Sequence, residues 1–447
     1  MDRLAGLTSN LVSEINAIEQ RKNRSADVQA RFKYALNHLL KDCWLGIHIS
    51  PAYECGIHKR SNWYSETPRY RDPNLTFKQT MAAYDGLQAL GLIYETKGGY
   101  LDRDTGKSDI TKYKVTDKLK HMLEAIEGDP FKDIKPDLDK ESILLRDRVN
   151  GRRVVIKYDD NEQTHSMRKN LRTINACLAL HWPDLELTDD EYVQLQLKLI
   201  DNTNKSPVDF SKRILTRIFS NGSFKQGGRF YRAWWHNVPS ELRKHITIDG
   251  KRTCEYDYSQ LNPHMIYFNA GKDMGGEDAY DRVFDGGHRD IVKEAFNAMM
   301  QASSELNRKP EDLDLTGVSF KWNTLKQAIL DAHKPIADRF FRGEGNHLQY
   351  IDSCMAERLM LHYAKDDHPV LPVHDSFIMH RAFGEMGELE EQMRKAFYEQ
   401  FKKDIPIKGE IGQIRPTSFD GRDWNDLTFD EKVYGAPEYS LWNGRNI

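Results

Sequence analysis

Glu255–Ile266 reads EYDYSQLNPHMI, and its first half alternates. On an extended chain Cys254, Tyr256 and Tyr258 fall on one face, and Glu255, Asp257 and Ser259 on the other. The apolar run Met265, Ile266, Tyr267, Phe268 then suits a helix packed back on that strand. Asp257 thereby sits near a strand end, where a carboxylate can point into a cleft. Taken alone, an acidic residue in a strand-to-helix turn explains the stretch equally well. A second stretch, Val370–His380, reads VLPVHDSFIMH and sets Asp375 in a tight turn within an apolar, β-prone run, with His374 before it and Ser376 after. A charge so embedded is costly unless it is paired or bound to metal. Two strands that each carry one Asp can present both carboxylates to a pair of Mg²⁺ ions, which prefer oxygen ligands. Such a pair stabilises the attacking and leaving oxygens of a phosphoryl transfer.

At these residues the chain resembles a known group. DYSQL, Asp257–Leu261, is similar to motif A of the family A DNA polymerases, and VHDS, Val373–Ser376, to their motif C. The HDSF spelling, His374–Phe377, is closer to the phage-type single-subunit RNA polymerases, which share the same palm. The resemblance covers roughly residues 210–410, about half the chain. It implies an α+β right-hand polymerase: an antiparallel palm, helical and reduced fingers, and a short thumb. It implies that Asp257 and Asp375, with Tyr258 beside them, hold two Mg²⁺ ions, with Mn²⁺ as an alternative. The two aspartates lie 118 residues apart, short for the family, so the fingers must be small.

Gly287–Met300, GHRDIVKEAFNAMM, lies where the resemblance puts the fingers helix. Arg289 and Lys293 are four apart and share a helix face. The family pattern R-x-x-x-K-x-x-x-F/Y matches Arg289 and Lys293, but its aromatic position holds Asn297, with Phe296 one residue early. The resemblance implies Arg289 and Lys293 on the triphosphate, Lys293 also in catalysis, and Phe296, Asn262 and Tyr258 around the nucleotide. A solvated amphipathic helix accounts for the same spacing. Asn346–Met360 has a helical apolar stripe, Leu348, Ile351, Met355 and Leu359, that leaves Gln349, Asp352 and Ser353 off it. Gln349 is the carry-over as a template contact; an ordinary packed helix with a polar side accounts for Asp352 and Ser353. Arg229, in a GR segment ahead of motif A, and His374 are the other template or primer candidates. Three departures stand out. Asn262 replaces the Glu that normally blocks the ribose 2′-hydroxyl, His264 replaces an Arg, and Ser376 replaces the Glu after the motif C aspartate. Weak discrimination between ribose and deoxyribose is therefore expected.

The remainder bounds the class. The 447 residues are 39% hydrophobic and 30% charged, with 65 Lys and Arg against 68 Asp and Glu, so no global basic field announces nucleic acid and any groove must be locally basic. Five cysteines show no CxxC pairing; neither a zinc site nor a disulfide framework is expected, and a reducing cytosol fits. No N-terminal signal-like stretch and no 18-residue apolar run occur, so neither secretion nor a membrane span is expected. A cytoplasmic protein of a bacterium, phage or mobile element is the expected setting.

Residues 1–127 are mildly basic. Phe77–Ile93 has helical spacing, two strand-like runs follow around a turn at Gly106, and Asp117–Ile126 is a second helix. Helix, hairpin, helix resembles a winged-helix domain, for which DNA binding is expected. Lys59, Arg60, Trp63, Tyr64, Arg69, Tyr70 and Arg71 mix cations with aromatics upstream, a mix that can track phosphates or simply form a solvated loop. Residues 128–145 are the linker. Residues 146–250 form a thumb-like, template-contacting region, with a helix expected over Phe210–Ser220 carrying Lys212, Arg213 and Arg217. Trp234 and Trp235 are stacking surface or hairpin core. Residues 251–447 are palm, with fingers inserted at about 270–345. Gly384–Lys402 is one helix, and the tail from Arg415 drapes over the palm. The reading is a template-directed nucleotidyltransferase acting on nucleoside triphosphates and a DNA (or RNA) template. The alternatives are a primer-independent RNA polymerase or primase, and a catalytically inactive DNA-binding replication initiator.

Overall fold

The computed structural model describes residues 2–19, 24–65, 67–101, 108–202 and 205–411. The expected turn at Gly106 and the tail from Arg415 lie outside the described residues. No helix among the described residues is long and apolar enough to cross a membrane.

One core gathers the N-terminal elements: α1 (Ala5–Ile18), α2 (Ala26–Ile49), β1 (Cys55–Ile57), α3 (Phe77–Ala89), β2 (Ile93–Lys97), β3 (Thr111–Val115) and α4 (Asp117–Glu124). Its three strands form an antiparallel sheet ordered β1-β3-β2. Tyr84 of α3 and Tyr113 of β3, both fully buried, meet edge to face at 5.4 Å. The upstream cations and aromatics satisfy one another: His58 stacks on Trp63 at 4.1 Å, Arg71 covers the same indole, and Arg69 pairs with Glu141 and Asp160 at 3.1 Å. The segment read as a linker is docked. Asp129 caps a short helix, Pro130–Asp133, and Phe131 is buried in the main core.

Next come β4 (Ile143–Val149), β5 (Arg152–Val155), α5 (Glu162–Leu180), β6 (Pro183–Leu185), α6 (Asp189–Asp201), β7 (Thr216–Ser220) and β8 (Ser223–Tyr231). Four strands form a sheet ordered β8-β7-β4-β5, antiparallel except where β4 runs parallel to β7. The helix expected over Phe210–Ser220 is not there. Residues 210–215 are irregular and Thr216–Ser220 is a strand, because this segment pairs on both edges with β4 and β8. Arg213 and Arg217 are consequently interior, not a cationic face. Gly227 and Gly228 take left-handed φ of +73° and +81° and make the bulge of β8; a Cβ on Gly228 would lie 2.7 Å from the Phe219 ring. Trp234 and Trp235 are fully buried, and the Trp235 indole donates to the Pro372 carbonyl at 3.1 Å. They are core, not stacking surface.

The remaining elements are β9 (Ile246–Ile248), β10 (Lys251–Tyr258), α7 (Leu261–Asn269), α8 (Arg289–Gln301), α9 (Trp322–Ala332), α10 (Gly345–Ala364), β11 (Leu371–Val373), β12 (Ser376–His380), α11 (Glu388–Phe401) and β13 (Ile407–Ile411). The chain is thus a mixed α+β protein. Its largest sheet runs β11-β12-β10-β9-β6, with β13 on the other edge of β10, and every pair is antiparallel. The long helix expected over Gly384–Lys402 is broken at Gly387, φ +73°, into a short turn of helix, Arg381–Glu385, and α11.

The two large sheets are tied through α10. Arg217, 1% exposed at its side chain, donates from Nε to the Gly228 carbonyl, pairs with Glu357 at 2.7 Å, and donates to the Ser353 hydroxyl at 3.0 Å. A buried guanidinium with its acceptors fanned around it stabilises only while all remain, and losing one partner strands a charge. Arg217→Ala should therefore cost about 3 kcal/mol, and Arg217→Lys should recover less than half of that, because an ammonium cannot reach three separated acceptors. Denaturant midpoints of the full chain measure this; an Arg217→Ala loss under about 1 kcal/mol would show the network to be idle.

Candidate active site

Register alone brings the two motif aspartates together. In the β10–β12 ladder Asp257 faces Ser376, the residue next to Asp375. Asp375 sits with His374 in the two-residue turn joining β11 to β12, where Val373 pairs with Ser376. His374 takes left-handed φ +59°, and the Tyr258 amide reaches the Asp375 carbonyl at 3.5 Å, holding that turn against β10. Asp257 is half-buried, and its Oδ1 is buried without a hydrogen-bond partner among the described residues. Burial, then the neighbouring charges of Asp375 and Glu255, push the Asp257 carboxyl up to about 8, against the pull of Lys293 and Arg243. Two acids forced together, one with an orphaned oxygen and a proton it would ordinarily have lost, suit a divalent cation. Asp257 and Asp375 are the residues that could hold it.

A third carboxylate flanks the pair. Glu255 lies two residues before Asp257 on β10, hence on the same face. It accepts hydrogen bonds from the Ser376 hydroxyl and from Arg243 Nε at 3.0 Å, and forms an ion pair with Arg243 at 2.8 Å. The sequence put Glu255 on the Asp257 face but gave it no role; the signal was its i, i+2 spacing. Lys408 of β13 lies directly across β10 from Asp257.

The other predicted residues divide. Lys293 is exposed on α8, and its charge acts on Asp257. Arg289 borders the same helix face but is paired with Asp278 at 2.8 Å and lies over the Tyr280 ring. Phe296 is a correction. It is fully buried against Tyr280, His333 and Phe340, because the core stripe of α8 is Val292, Ala295, Phe296 and Met299. The position facing Asn262 is Asn297, whose side-chain oxygen accepts from Asn262 Nδ2 at 2.9 Å and whose amide donates to the Lys293 carbonyl. Tyr258 is corrected in part: its ring is buried and its hydroxyl donates to the Met393 carbonyl at 2.7 Å, so only its main chain borders the acids. His264 is buried with neither ring nitrogen bonded, and burial lowers its pKa.

Arg229 meets Asp352 of α10 at 2.6 Å. Asp352 is 1% exposed; burial and Asp375 raise its carboxyl to about 6, against the pull of Arg229. The pair therefore sits inside the field of the acids, and Asp352 is a member that the apolar stripe of α10 concealed. Gln349, one turn earlier, is half-buried. His374 is exposed at the mouth of a cleft of about 730 Å³ that Lys140, Lys205, Lys212 and Arg232 also line. Arg146, whose guanidinium is lowered by burial and then by Arg153, crowds Arg232 together with Arg71. Asp137 and Glu141 are the acids of the same lining, so its cations outnumber its carboxylates.

Unfolded, the Asp257 carboxyl titrates near 4; folded, at about 8. Its stabilising protonated form is fully present below the unfolded value and lost as pH rises through the folded one. The Tm of metal-free protein should therefore fall between pH 5 and pH 8, and Asp257→Asn should flatten that fall. Millimolar Mg²⁺ or Mn²⁺ should raise Tm more at pH 8 than at pH 5. Equal slopes for the two proteins would show that Asp257 carries no such proton.

No protein-family model and no curated protein matches the sequence. Among solved structures, the chain is similar to the POL domain of Pol1 from M. smegmatis in complex with DNA primer-template and dNTP, at 13% identity and a TM-score of 0.32, over 90% of this chain and 71% of that one.

Proposed function

We propose that the chain is a template-directed nucleotidyltransferase that adds nucleotides to a 3′-hydroxyl. The observation that carries this reading is the juxtaposition of Asp257 and Asp375 by strand register, with Lys293 facing them and a basic cleft leading to His374. In the reaction, the 3′-oxygen of a strand attacks the α-phosphorus of a bound triphosphate. One P–O bond forms, the bond to the β-phosphate bridging oxygen breaks, and pyrophosphate leaves. Bound between Asp257 and Asp375, Mg²⁺ would supply charge neutralisation and lower the pKa of the attacking hydroxyl. Lys293 neutralises the triphosphate from α8, and Arg289 joins it if the Asp278 pair opens. Arg229, held by Asp352, sets the positive edge of the site toward the template. Most of the rate then comes from positioning and fixed charge.

The N-terminal core, with α3, the β2–β3 pair and α4 in sequence, is read as a winged helix that binds duplex beside the cleft. At the sugar, Asn262 and Asn297 form a neutral hydrogen-bonded pair where the resembled family carries an acid and an aromatic ring. A neutral amide accepts a 2′-hydroxyl instead of excluding it.

Primer extension on a DNA template tests the reading. Wild type should incorporate, while Asp257→Asn and Asp375→Asn should each lose at least about a thousand-fold, on the order of 4 kcal/mol of transition-state stabilisation, with template binding retained. Lys293→Ala should lose about ten- to hundred-fold, mainly in kcat/KM for the triphosphate. Ribonucleotides should be used within about a hundred-fold of deoxyribonucleotides. A wild-type chain that incorporates nothing with or without primer overturns the enzymatic reading, and a thousand-fold preference for dNTPs overturns the sugar reading alone.

A further inference from the structure

At the far end of β10 from Asp257, a second group of potential ligands is assembled from the end of α5 and the segment after α10. Cys177 lies in the last turn of α5, is 3% exposed and is a free thiol. His181 is the residue that ends the same helix. Asp367 follows α10, with its side chain 64% exposed. The sulfur, the ring nitrogen and a carboxylate oxygen of these residues all lie within 4.8 Å of one another, and among the described residues no other group of three His, Cys, Asp or Glu side chains does so.

The orientation of the imidazole is fixed from behind. Asp249 occupies the turn between β9 and β10, where it and Gly250 both take left-handed φ, as a two-residue hairpin loop requires. One Asp249 oxygen accepts the Trp182 amide at 2.7 Å, and the other meets His181 Nδ1 at 2.5 Å. With Nδ1 taken by that carboxylate, Nε2 is the nitrogen turned toward Cys177 and Asp367, and a metal ion would take the place of any proton there. Among the described residues His181 Nε2 is buried without a hydrogen-bond partner; it lies 3.4 Å from Asp367 Oδ1. Carboxylate, histidine and open nitrogen in this order are the arrangement by which proteins set a histidine ligand. Ligand atoms about 2.0–2.3 Å from a tetrahedral ion stand roughly 3.3–3.6 Å apart, so the His181–Asp367 separation already fits.

We propose that Cys177, His181 and Asp367 bind one borderline-soft divalent transition metal ion, Zn²⁺ first, with Asp249 as the residue that orients His181 and water in the fourth position. A thiolate, an imidazole and one carboxylate select Zn²⁺ or Co²⁺ over Mg²⁺, which avoids sulfur. The ion pins the end of α5 to the β9–β10 turn and to the segment after α10. It is a staple for the sheet that carries the acids, separate from the ions proposed at Asp257 and Asp375. The absence of a CxxC pair had argued against zinc. The ligands escape such a search because they come from one helix end and a loop 186 residues further on.

The test is metal binding to the full chain carrying Asp257→Asn and Asp375→Asn, so that the acid pair contributes no site. Co²⁺ titrated into metal-free protein should bind one equivalent, with a thiolate-to-cobalt band in the near ultraviolet and ligand-field bands in the visible. Zn²⁺ should displace it, and excess Mg²⁺ should not. Cys177→Ser, nearly isosteric, should abolish the near-ultraviolet band, and Asp367→Asn should weaken Zn²⁺ binding at least about ten-fold. Zn²⁺ should also raise the Tm of the chain and slow alkylation of Cys177. Absence of saturable Zn²⁺ binding at tens of micromolar, or a Co²⁺ spectrum unchanged by Cys177→Ser, would overturn the proposal and leave a protonated His181 bridging two aspartates.

Discussion

Two carboxylates that repel each other are held side by side by a backbone that cannot let them part. Asp257 and Asp375 come from strands adjacent in the sheet, and the register that pairs Asp257 with Ser376 is fixed by buried side chains along both strands. A slip of one residue would drive Cys254 and Tyr258 out of the core and Asp257 into it. The repulsion therefore cannot relax by movement. In the free protein it relaxes by protonation: burial first, and then the charges of Asp375 and Glu255, push the Asp257 carboxyl up to about 8. A cation exchanged for that proton resolves the same conflict, and the site is in this sense charged in advance for one.

What surrounds the acids keeps the conflict local. Arg243 and the Ser376 hydroxyl hold Glu255, so the third carboxylate does not swing onto Asp257. Arg229 is held by Asp352, and both act on Asp375 from the α10 side. Three buried side chains lock the elements around the acids. The Tyr258 ring is anchored on α11, Trp235 holds Pro372 beside the turn, and Arg217 locks α10 to the bulge of β8. On β10 itself the alternation sets Glu255 and Asp257 on one face and Cys254 and Tyr258 on the other.

Much of this was legible in the sequence because it depends on period. The alternation around Asp257, the apolar run broken by Asp375 and the helical stripe of Asn346–Met360 each appear as the element they predicted. The misreadings share a cause. Phe210–Ser220 reads as a helix bearing Lys212, Arg213 and Arg217, yet the Arg217 guanidinium is ringed by a carbonyl, a carboxylate and a hydroxyl and lies inside. Trp234 and Trp235 read equally as stacking surface or core, and Phe296 as a nucleotide neighbour; aromatic residues are large apolar bodies first, and each fills the core. Which carboxylate faces which cation, as for Arg289 with Asp278 or Arg229 with Asp352, is set by loops of no fixed period. No single-sequence pattern encodes it.

Three departures from the resembled motifs share one pattern when placed on the sheet; His264, buried with neither ring nitrogen hydrogen-bonded among the described residues, is outside it. The family acid expected after the motif C aspartate is Ser376 here, yet a carboxylate remains nearby, supplied by Glu255 on the neighbouring strand and hydrogen-bonded by that same serine. The acid expected after DYSQL is Asn262, and the aromatic expected on α8 is Asn297, and these two bond each other. Each change replaces a charge or a ring with a neutral hydrogen-bonding group and moves the lost charge, where it is kept, to the adjacent element. In the reaction proposed here, the floor of the site keeps its carboxylates for a cation, while the wall that would meet a sugar is neutral and hydrogen-bonding. Under the proposed reading, the part of the site that selects the reaction is preserved, and the part that selects the sugar is the one that has been rebuilt.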